Sequence, residues 1–151
     1  MSIDDDVNLS FSGALDENFV WPTFANPVAG RLNVNLEAVQ FINSLGSRRW
    51  IQWIQSAKAL KGVFLQHCSH VFIRQISILA IPLPTNVQLE SFFISYTCTA
   101  CSTVEKNLLE RGKNFSDLKA LDFPESKSCP KCGGKMEFDE NKSRLLQFLR
   151  R

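Results

Sequence analysis

The sequence predicts an α/β fold in which helices pack on a mixed sheet. Segments that alternate apolar and polar residues, as half-buried strands do, are separated by segments with apolar residues at helical spacing. The predicted order is strand, helix, strand, helix, strand, helix, strand. Because helical connections join parallel strands, some of the strands are expected to pair in parallel.

Length and composition fit a protein with a substantial hydrophobic core. The chain has 151 residues, of which 44% are hydrophobic, including twelve Phe and three Trp. This is enough for one medium domain, or for one domain of about 100 residues with a small appendage. No run of about 20 apolar residues exists, so no membrane span is expected. The acidic start, residues 1–6, lacks the basic and apolar parts of a signal peptide.

The first two strands are predicted on either side of an irregular segment. Residues 7–11 and 31–36 alternate apolar and polar side chains. Between them, residues 15–19 are expected to begin a helix, since Asp and Glu favour the first helical turn. Pro22 and Pro27 should keep that helix short.

A clear amphipathic helix is predicted after residues 39–42. Asn43 and Ser44 are both good N-cap residues, and Gly62 is expected to close the helix before a buried strand at residues 63–65. The apolar face of this helix consists of Trp50, Trp53, Ile54 and Ala57.

The remaining elements lead into and out of a cysteine-rich segment. Residues 69–79 predict another helix, and residues 86–96 predict one strand that runs into the first cysteine pair. Residues 103–109 and 135–139 are expected to pair as the two strands of a ribbon. Residues 143–150 predict a short terminal helix whose apolar stripe must dock on the body or on another subunit.

Two Cys-x-x-Cys pairs give the strongest indication of a bound metal. Cys98 and Cys101 form one pair, Cys129 and Cys132 form the other, and 27 residues separate the pairs. Four thiolates in two pairs of this spacing are typical of a tetrahedral zinc site. Two disulfides, or four unrelated buried thiols, are the alternatives. After the second pair, Gly133 can adopt a positive φ and so close a tight knuckle.

A zinc ion with four protein ligands has no open coordination position, which indicates a structural role rather than a catalytic one. We therefore expect two parts, residues 1–97 as the α/β domain and residues 98–151 as a zinc-ribbon segment with a C-terminal helix. Free thiols and zinc suit a reducing compartment, which favours a cytoplasmic location.

Three short motifs in the α/β part carry a family resemblance. Residues 11–17 read Phe-Ser-Gly-Ala-Leu-Asp-Glu, residues 32–36 form the centre of a predicted strand, and residues 39–46 end in Asn-Ser-Leu-Gly. They resemble the first-strand G-x-L-D turn, the central strand and the helix-opening D-S-x-G loop of the STAS domain. That fold occurs in bacterial anti-sigma-factor antagonists and in the cytoplasmic tails of sulfate transporters. The resemblance covers roughly residues 6–97.

In the antagonists, a partner kinase phosphorylates the serine of this loop, and the resemblance places Ser44 at that position. It implies a partner-binding surface formed by Ser44, Asn43, Gly46, Arg48 and Arg49. A phosphoryl group there would meet the free backbone N–H groups of a helix N-terminus. Asn43 stands where antagonists usually have Asp. The simpler interpretation, which we favour, is that Asn43 and Ser44 only cap the helix.

The resemblance favours a non-enzymatic bacterial regulatory module that binds a protein partner. That partner would be a signalling kinase, an anti-sigma-like protein or a receptor protein, and self-association into a homo-oligomer is a further option. His67, Cys68 and His70 could supply a second metal site or a Cys–His nucleophile, but no motif supplies an orienting carboxylate. A buried Cys68 with capping or surface histidines is the favoured interpretation.

A zinc ribbon that binds nucleic acid is the main alternative. Residues 98–151 carry eleven basic and eight acidic side chains, a net charge of +3, whereas residues 1–97 carry six and seven, a net charge of −1. Four thiolates and a zinc ion would lower the charge of the tail to about +1, and such proteins usually concentrate basic residues. The candidate contacts are Lys106, Lys113, Lys131 and Lys135.

Overall fold

Two four-stranded sheets and three helices form the part of the chain that the structure describes, so the predicted α/β class is confirmed. The structure is a computed structural model, and it describes residues 5–24 and 26–150. Most of the acidic start, residues 1–4, lies outside the described residues. In chain order the elements are β1 (Val7–Leu15), β2 (Leu32–Ile42), α1 (Ser44–Ser56), β3 (Val63–Gln66), α2 (His70–Ile78), β4 (Val87–Leu89), β5 (Ser91–Cys98), β6 (Val104–Glu110), β7 (Ser126–Ser128), β8 (Lys135–Phe138) and α3 (Lys142–Leu149).

The first sheet is entirely parallel and has the strand order β1-β2-β3-β4. One face of β2 is apolar, because Leu32, Val34 and Leu36 are buried while the residues between them are half-buried. α1 and α2 contribute to the same core, where the rings of Trp50 and Phe72 meet edge to face with 4.8 Å between centroids. The parallel pairing expected from helical connections is confirmed.

In its described residues, 16–24 and 26–31, the segment between β1 and β2 contains no helix, so the helix predicted at residues 15–19 is wrong. The side chain of Asp16 accepts a hydrogen bond from the N–H of Asn18 at 2.9 Å, which closes a turn and does not start a helix. Aromatic packing holds the segment in place, through the rings of Phe11, Phe19 and Trp21.

Gly62 does not close α1, contrary to the sequence prediction. The helix ends at Ser56, because Ala57 turns to an extended conformation. The chain then lies beside Val28, whose N–H donates to the carbonyl oxygen of Lys58 at 2.8 Å. Gly62 follows in the turn before β3, with a φ of 94°.

The chain passes from the first sheet to the second at Glu90, so the single strand predicted at residues 86–96 is two strands. The N–H of Glu90 bonds to the carbonyl oxygen of Leu65 at 2.8 Å, which still belongs to the first sheet. Beyond it, the N–H of Phe93 bonds to the carbonyl oxygen of Cys68 at 2.9 Å. β5 therefore begins beside Cys68, just beyond the end of β3, while it starts a new sheet.

The second sheet is antiparallel and has the order β6-β5-β8-β7. β5 is an inner strand, and Tyr96 lies opposite Glu105 of β6 on one side and Phe138 of β8 on the other. The direct pairing predicted between residues 103–109 and 135–139 is therefore wrong, because β5 lies between them. The short outer strand β7 has no predicted counterpart.

The terminal helix α3 docks on the body, which was one of the two predicted alternatives; the other was docking on another subunit. Its buried apolar residues join a hydrophobic cluster that also contains residues of both sheets. The guanidinium of Arg74 on α2 lies 3.5 Å from the carboxylate of Glu140, just before α3. The division into residues 1–97 and 98–151 stays a prediction. The apolar residues of α3 in the core are Leu145, Leu146, Phe148 and Leu149.

Within the described residues, no helix combines the length and the apolar character that crossing a membrane requires.

Candidate functional site

The four paired cysteines converge on one point. Cys98 ends β5 and Cys101 lies in the turn to β6, while Cys129 and Cys132 lie between β7 and β8. All four Sγ atoms are within 4.8 Å of one another. The Sγ atoms of Cys98 and Cys132 are 3.5 Å apart, and those of Cys101 and Cys129 are 3.8 Å apart. All four thiols are free, so the group is arranged for metal binding.

Backbone N–H groups point at sulfur atoms of both knuckles. Cys98 Sγ accepts from the N–H groups of Ala100 and Cys101, each at 3.4 Å. In the second knuckle, Cys129 Sγ accepts from the N–H of Lys131 at 3.4 Å. Such donors favour the thiolate over the thiol, and the thiolate is the form that binds a metal.

Glycines make the second knuckle tight enough for this geometry. Gly133 has a φ of 75°, which confirms the positive φ predicted for it. A Cβ on Gly134 would lie 2.9 Å from the Cβ of Ala100, so a side chain there would push the two knuckles apart. The N–H of Gly134 bonds to Cys132 Sγ at 3.3 Å.

Backbone hydrogen bonds also fix the position of one knuckle relative to the other. The N–H of Thr99 bonds to the carbonyl oxygen of Lys135 at 2.9 Å, and Cys98 lies opposite Met136 in the sheet. Met136 is fully buried. The metal-binding group is therefore fixed to the hydrophobic core through β5 and β8.

The thiols of the cluster differ in acidity. The hydroxyl of Thr103, 3.0 Å from Cys101 Sγ, is the main cause that lowers the pKa of Cys101 to about 6. The N–H of Cys101, followed by that of Ala100, lowers the pKa of Cys98. The N–H of Gly134 acts in the same direction on Cys132, but the neighbouring thiols of Cys101 and Cys98 outweigh it and raise its pKa to about 12. Sequence reasoning missed Thr103, although a hydroxyl residue soon after a Cys-x-x-Cys pair is a usable signal.

Cys68 and the two histidines lie apart from this cluster. Cys68 is completely buried, as predicted, and burial raises the pKa of its thiol. Burial also lowers the pKa of His70, and the charge of Lys106 adds to the effect. Among residues 5–24 and 26–150, the four paired cysteines are the only group of three or more potential ligands close enough to share an ion. The interpretation of the His67–His70 segment as non-catalytic remains a prediction.

The start of α1 brings the other predicted site residues together. Asn43 is the N-cap, and its Oδ1 accepts from the N–H of Gly46 at 2.7 Å, which confirms the cap predicted for Asn43. The cap predicted for Ser44 is wrong, because the helix already begins at that residue. Ser44 is the first helical residue and is exposed, as are Arg48 and Arg49. In the described part of the chain, neither arginine is within ion-pair distance of a carboxylate.

Glu17 lies beside this helix start, and sequence reasoning missed it. Its carboxylate accepts a hydrogen bond from Asn43 Nδ2 at 3.0 Å. Its own backbone N–H, then Asn43 and then the charge of Arg49 lower its pKa. A negative charge therefore already lies next to the cap of α1.

Gly46 allows the start of α1 to approach the end of β1. A Cβ at this position would overlap the carbonyl group of Leu15. The backbone N–H of Asn43 also bonds to that carbonyl oxygen, at 3.4 Å. The glycine of the Asn-Ser-Leu-Gly motif thus has a packing role that does not depend on any partner.

The lysines named as candidate nucleic-acid contacts are only partly free of acidic neighbours. Lys113 pairs with Glu110 at 3.9 Å, and Lys135 pairs with Glu137 at 3.5 Å. Lys106 and Lys131 are exposed, and neither forms an ion pair with a described residue. The basic charge of the ribbon is thus dispersed and partly neutralised.

No protein-family model, curated protein or solved structure matches this chain.

We expect Thr103→Val to raise the pKa of Cys101 in the metal-free protein, because the variant lacks the hydroxyl that bonds to its thiolate. A thiol with a lowered pKa stabilises the fold at pH values above its usual pKa, and this contribution is lost as the pH falls through about 6. The measurement is the pH dependence of iodoacetamide labelling at Cys101, read by mass spectrometry. Thr99→Val is the matched control, since the Thr99 hydroxyl bonds to the carbonyl oxygen of Lys135. An unchanged labelling midpoint in Thr103→Val would contradict the assignment.

We expect Gly46→Ala to lower the free energy of unfolding by about 1–3 kcal/mol, since the added methyl group must displace the backbone of Leu15. Urea unfolding followed by tryptophan fluorescence measures the change. Gln55→Ala, at an exposed position of the same helix, should change it by less than about 0.5 kcal/mol. Equal stability of the two variants would show that the close approach is unimportant.

Proposed function

We propose that the protein is a non-enzymatic, cytoplasmic regulatory module of bacterial signalling, STAS-like in fold, that binds a protein partner and carries a structural zinc ion. The observation that carries the partner-binding proposal is the exposure of polar and basic side chains at the start of α1. There the exposed Ser44 follows a fixed cap at the carboxyl end of β2. Arg48 and Arg49 are also exposed, and neither guanidinium is within ion-pair distance of a carboxylate among the described residues.

The sulfur geometry supports zinc as the ion. Zinc–sulfur bonds of about 2.3 Å in a tetrahedron place the sulfur atoms about 3.8 Å apart. Two of the six sulfur–sulfur separations, 3.5 Å and 3.8 Å, fit this edge length, and all six are within 4.8 Å. With all four positions taken by cysteines, the ion would join the two knuckles and leave no site for water or substrate.

Metal analysis of the purified protein tests the zinc assignment. We expect about one zinc ion per chain, and loss of the ion in Cys129→Ser, since a structural site of this type needs all four thiolates. Cys68→Ala is the control and should keep the ion, because Cys68 lies outside the cluster. Iron in place of zinc would overturn the identity of the metal, and a metal-free protein would overturn the site.

The partner-binding proposal commits to the exposed start of α1. Ser44 would be the switch position, because a phosphoryl group there could accept from the helix N-terminus and pair with the two arginines. The carboxylate of Glu17 lies beside Asn43 and would oppose a second negative charge. Phosphorylation would therefore weaken the Glu17 contact, which gives the switch a structural consequence.

Affinity capture from the native cytoplasm tests this surface. We expect one protein to be recovered reproducibly with the wild-type chain, and its recovery to fall at least about tenfold with the double variant Arg48→Glu, Arg49→Glu. Gln55→Glu, on the same helix, is the control and should retain the partner. Phosphopeptide mass spectrometry of the captured chain reports on Ser44. Reproducible recovery of no protein, or salt-sensitive retention on DNA or RNA in its place, would count against the proposal.

A further inference from the structure

The four thiols of the metal-binding group differ in exposure in a regular way. Cys98 and Cys129 are 2% and 3% exposed, whereas Cys101 and Cys132 are exposed to solvent. Two sulfur pairs, Cys98 with Cys132 at 3.5 Å and Cys101 with Cys129 at 3.8 Å, each join one buried thiol to one exposed thiol. Each pair also joins one knuckle to the other.

We propose that this group is a thiol switch that responds to hydroperoxides, in which oxidation replaces the metal by two disulfides, Cys98–Cys132 and Cys101–Cys129. The inference rests on the structural metal of the proposed function and adds a regulation of that same site. The exposed thiols receive the oxidant, and their buried partners complete the disulfides.

The chemistry balances with hydrogen peroxide as the oxidant. The exposed thiolate of Cys101 attacks one peroxide oxygen, the O–O bond breaks, and the leaving hydroxide takes a proton to become water. Cys101 is then a sulfenic acid, and the thiolate of Cys129, 3.8 Å away, attacks its sulfur. An S–S bond forms, and a second hydroxide leaves and becomes water. Two thiolates lose two electrons, one peroxide gains them, and the second pair repeats the reaction.

The choice of linkages decides what happens to the ribbon. Disulfides within a knuckle would join Cys98 to Cys101 and Cys129 to Cys132, and would leave the two knuckles unconnected. The proposed pairs join positions 34 and 28 residues apart in the sequence. They would hold the end of β5 to the segment before β8, as a bound metal would, so we expect the ion to leave while the sheet stays paired.

Cys68 provides an internal reference for the reaction. Its thiol is fully buried in the hydrophobic core, and it lies outside the four-cysteine group. A hydroperoxide should leave it reduced as long as the body stays folded. Labelling of Cys68 by an alkylating reagent therefore reports unfolding, independently of the state of the other four cysteines.

The experiment uses the full chain, purified without oxygen, with its metal content measured first. Hydrogen peroxide is added stepwise, released metal is followed with a colorimetric chelator, and remaining thiols are alkylated. We expect release to be complete at about two peroxide molecules per chain, since each disulfide takes one. Cys68 should be recovered reduced and accessible only in denaturant, and the strand signal in circular dichroism should persist.

Tryptic mapping without reduction then identifies the linkages. Cleavage after Lys131 separates Cys129 from Cys132, while Cys98 and Cys101 stay on one peptide, residues 75–106. That peptide should be linked to both of the others, and fragmentation between its two cysteines should assign Cys98 to Cys132. A thiol reductant with added zinc should restore the starting metal content.

The outcomes separate the two proposals. A protein without metal before peroxide would overturn the structural ion of the proposed function, whatever the later map shows. Metal-loaded protein that keeps its ion and its thiols at a tenfold excess of peroxide would overturn the switch alone. So would linkages within the knuckles, or Cys68 becoming accessible together with metal release.

Discussion

Strand β5 determines the position of the metal-binding group. Its residues Phe92 and Tyr96 are buried in the core, and β6 and β8 pair with its two edges. Cys98 is its last residue, so the first cysteine of the metal-binding group lies at the end of a strand that is anchored in the hydrophobic core. The second knuckle is then positioned by β8, which pairs with the same strand. An ion bound here would reinforce a juxtaposition that hydrophobic burial and strand pairing already favour.

The start of α1 is held by close backbone packing and by hydrogen bonds that involve a charged side chain. Gly46 lets the helix approach Leu15, and Asn43 closes the first turn. Glu17 then accepts a hydrogen bond from the same asparagine. This small network accounts for Asn43 and Gly46 without a partner. The network does not account for the exposure of Ser44, Arg48 and Arg49, and this exposure supports the partner-binding proposal.

The sequence predicted the features that depend on local chemistry. The spacing of the cysteines, the N-cap Asn43 and the positive φ of Gly133 follow from residues close to one another, and the structure contains each of them. The failures depend on distant contacts. The segment after β1 is held by packing of aromatic rings, and Asp16 closes a turn there instead of starting a helix. The pairing of β8 with β5 was missed because neither strand specifies its antiparallel partner by its own sequence. The proximity of Glu17 to Asn43 is of the same kind.

The change of sheets at Glu90 has a consequence for any attempt to study the α/β part in isolation. A fragment that ends at residue 97 would retain β5 but lose β6 and β8, so both hydrogen-bonding edges of an apolar strand would face water. Such unprotected edges promote association between copies. The fragment would therefore tend to aggregate for reasons unrelated to the metal, whereas one that ends after Leu89 would keep all four parallel strands.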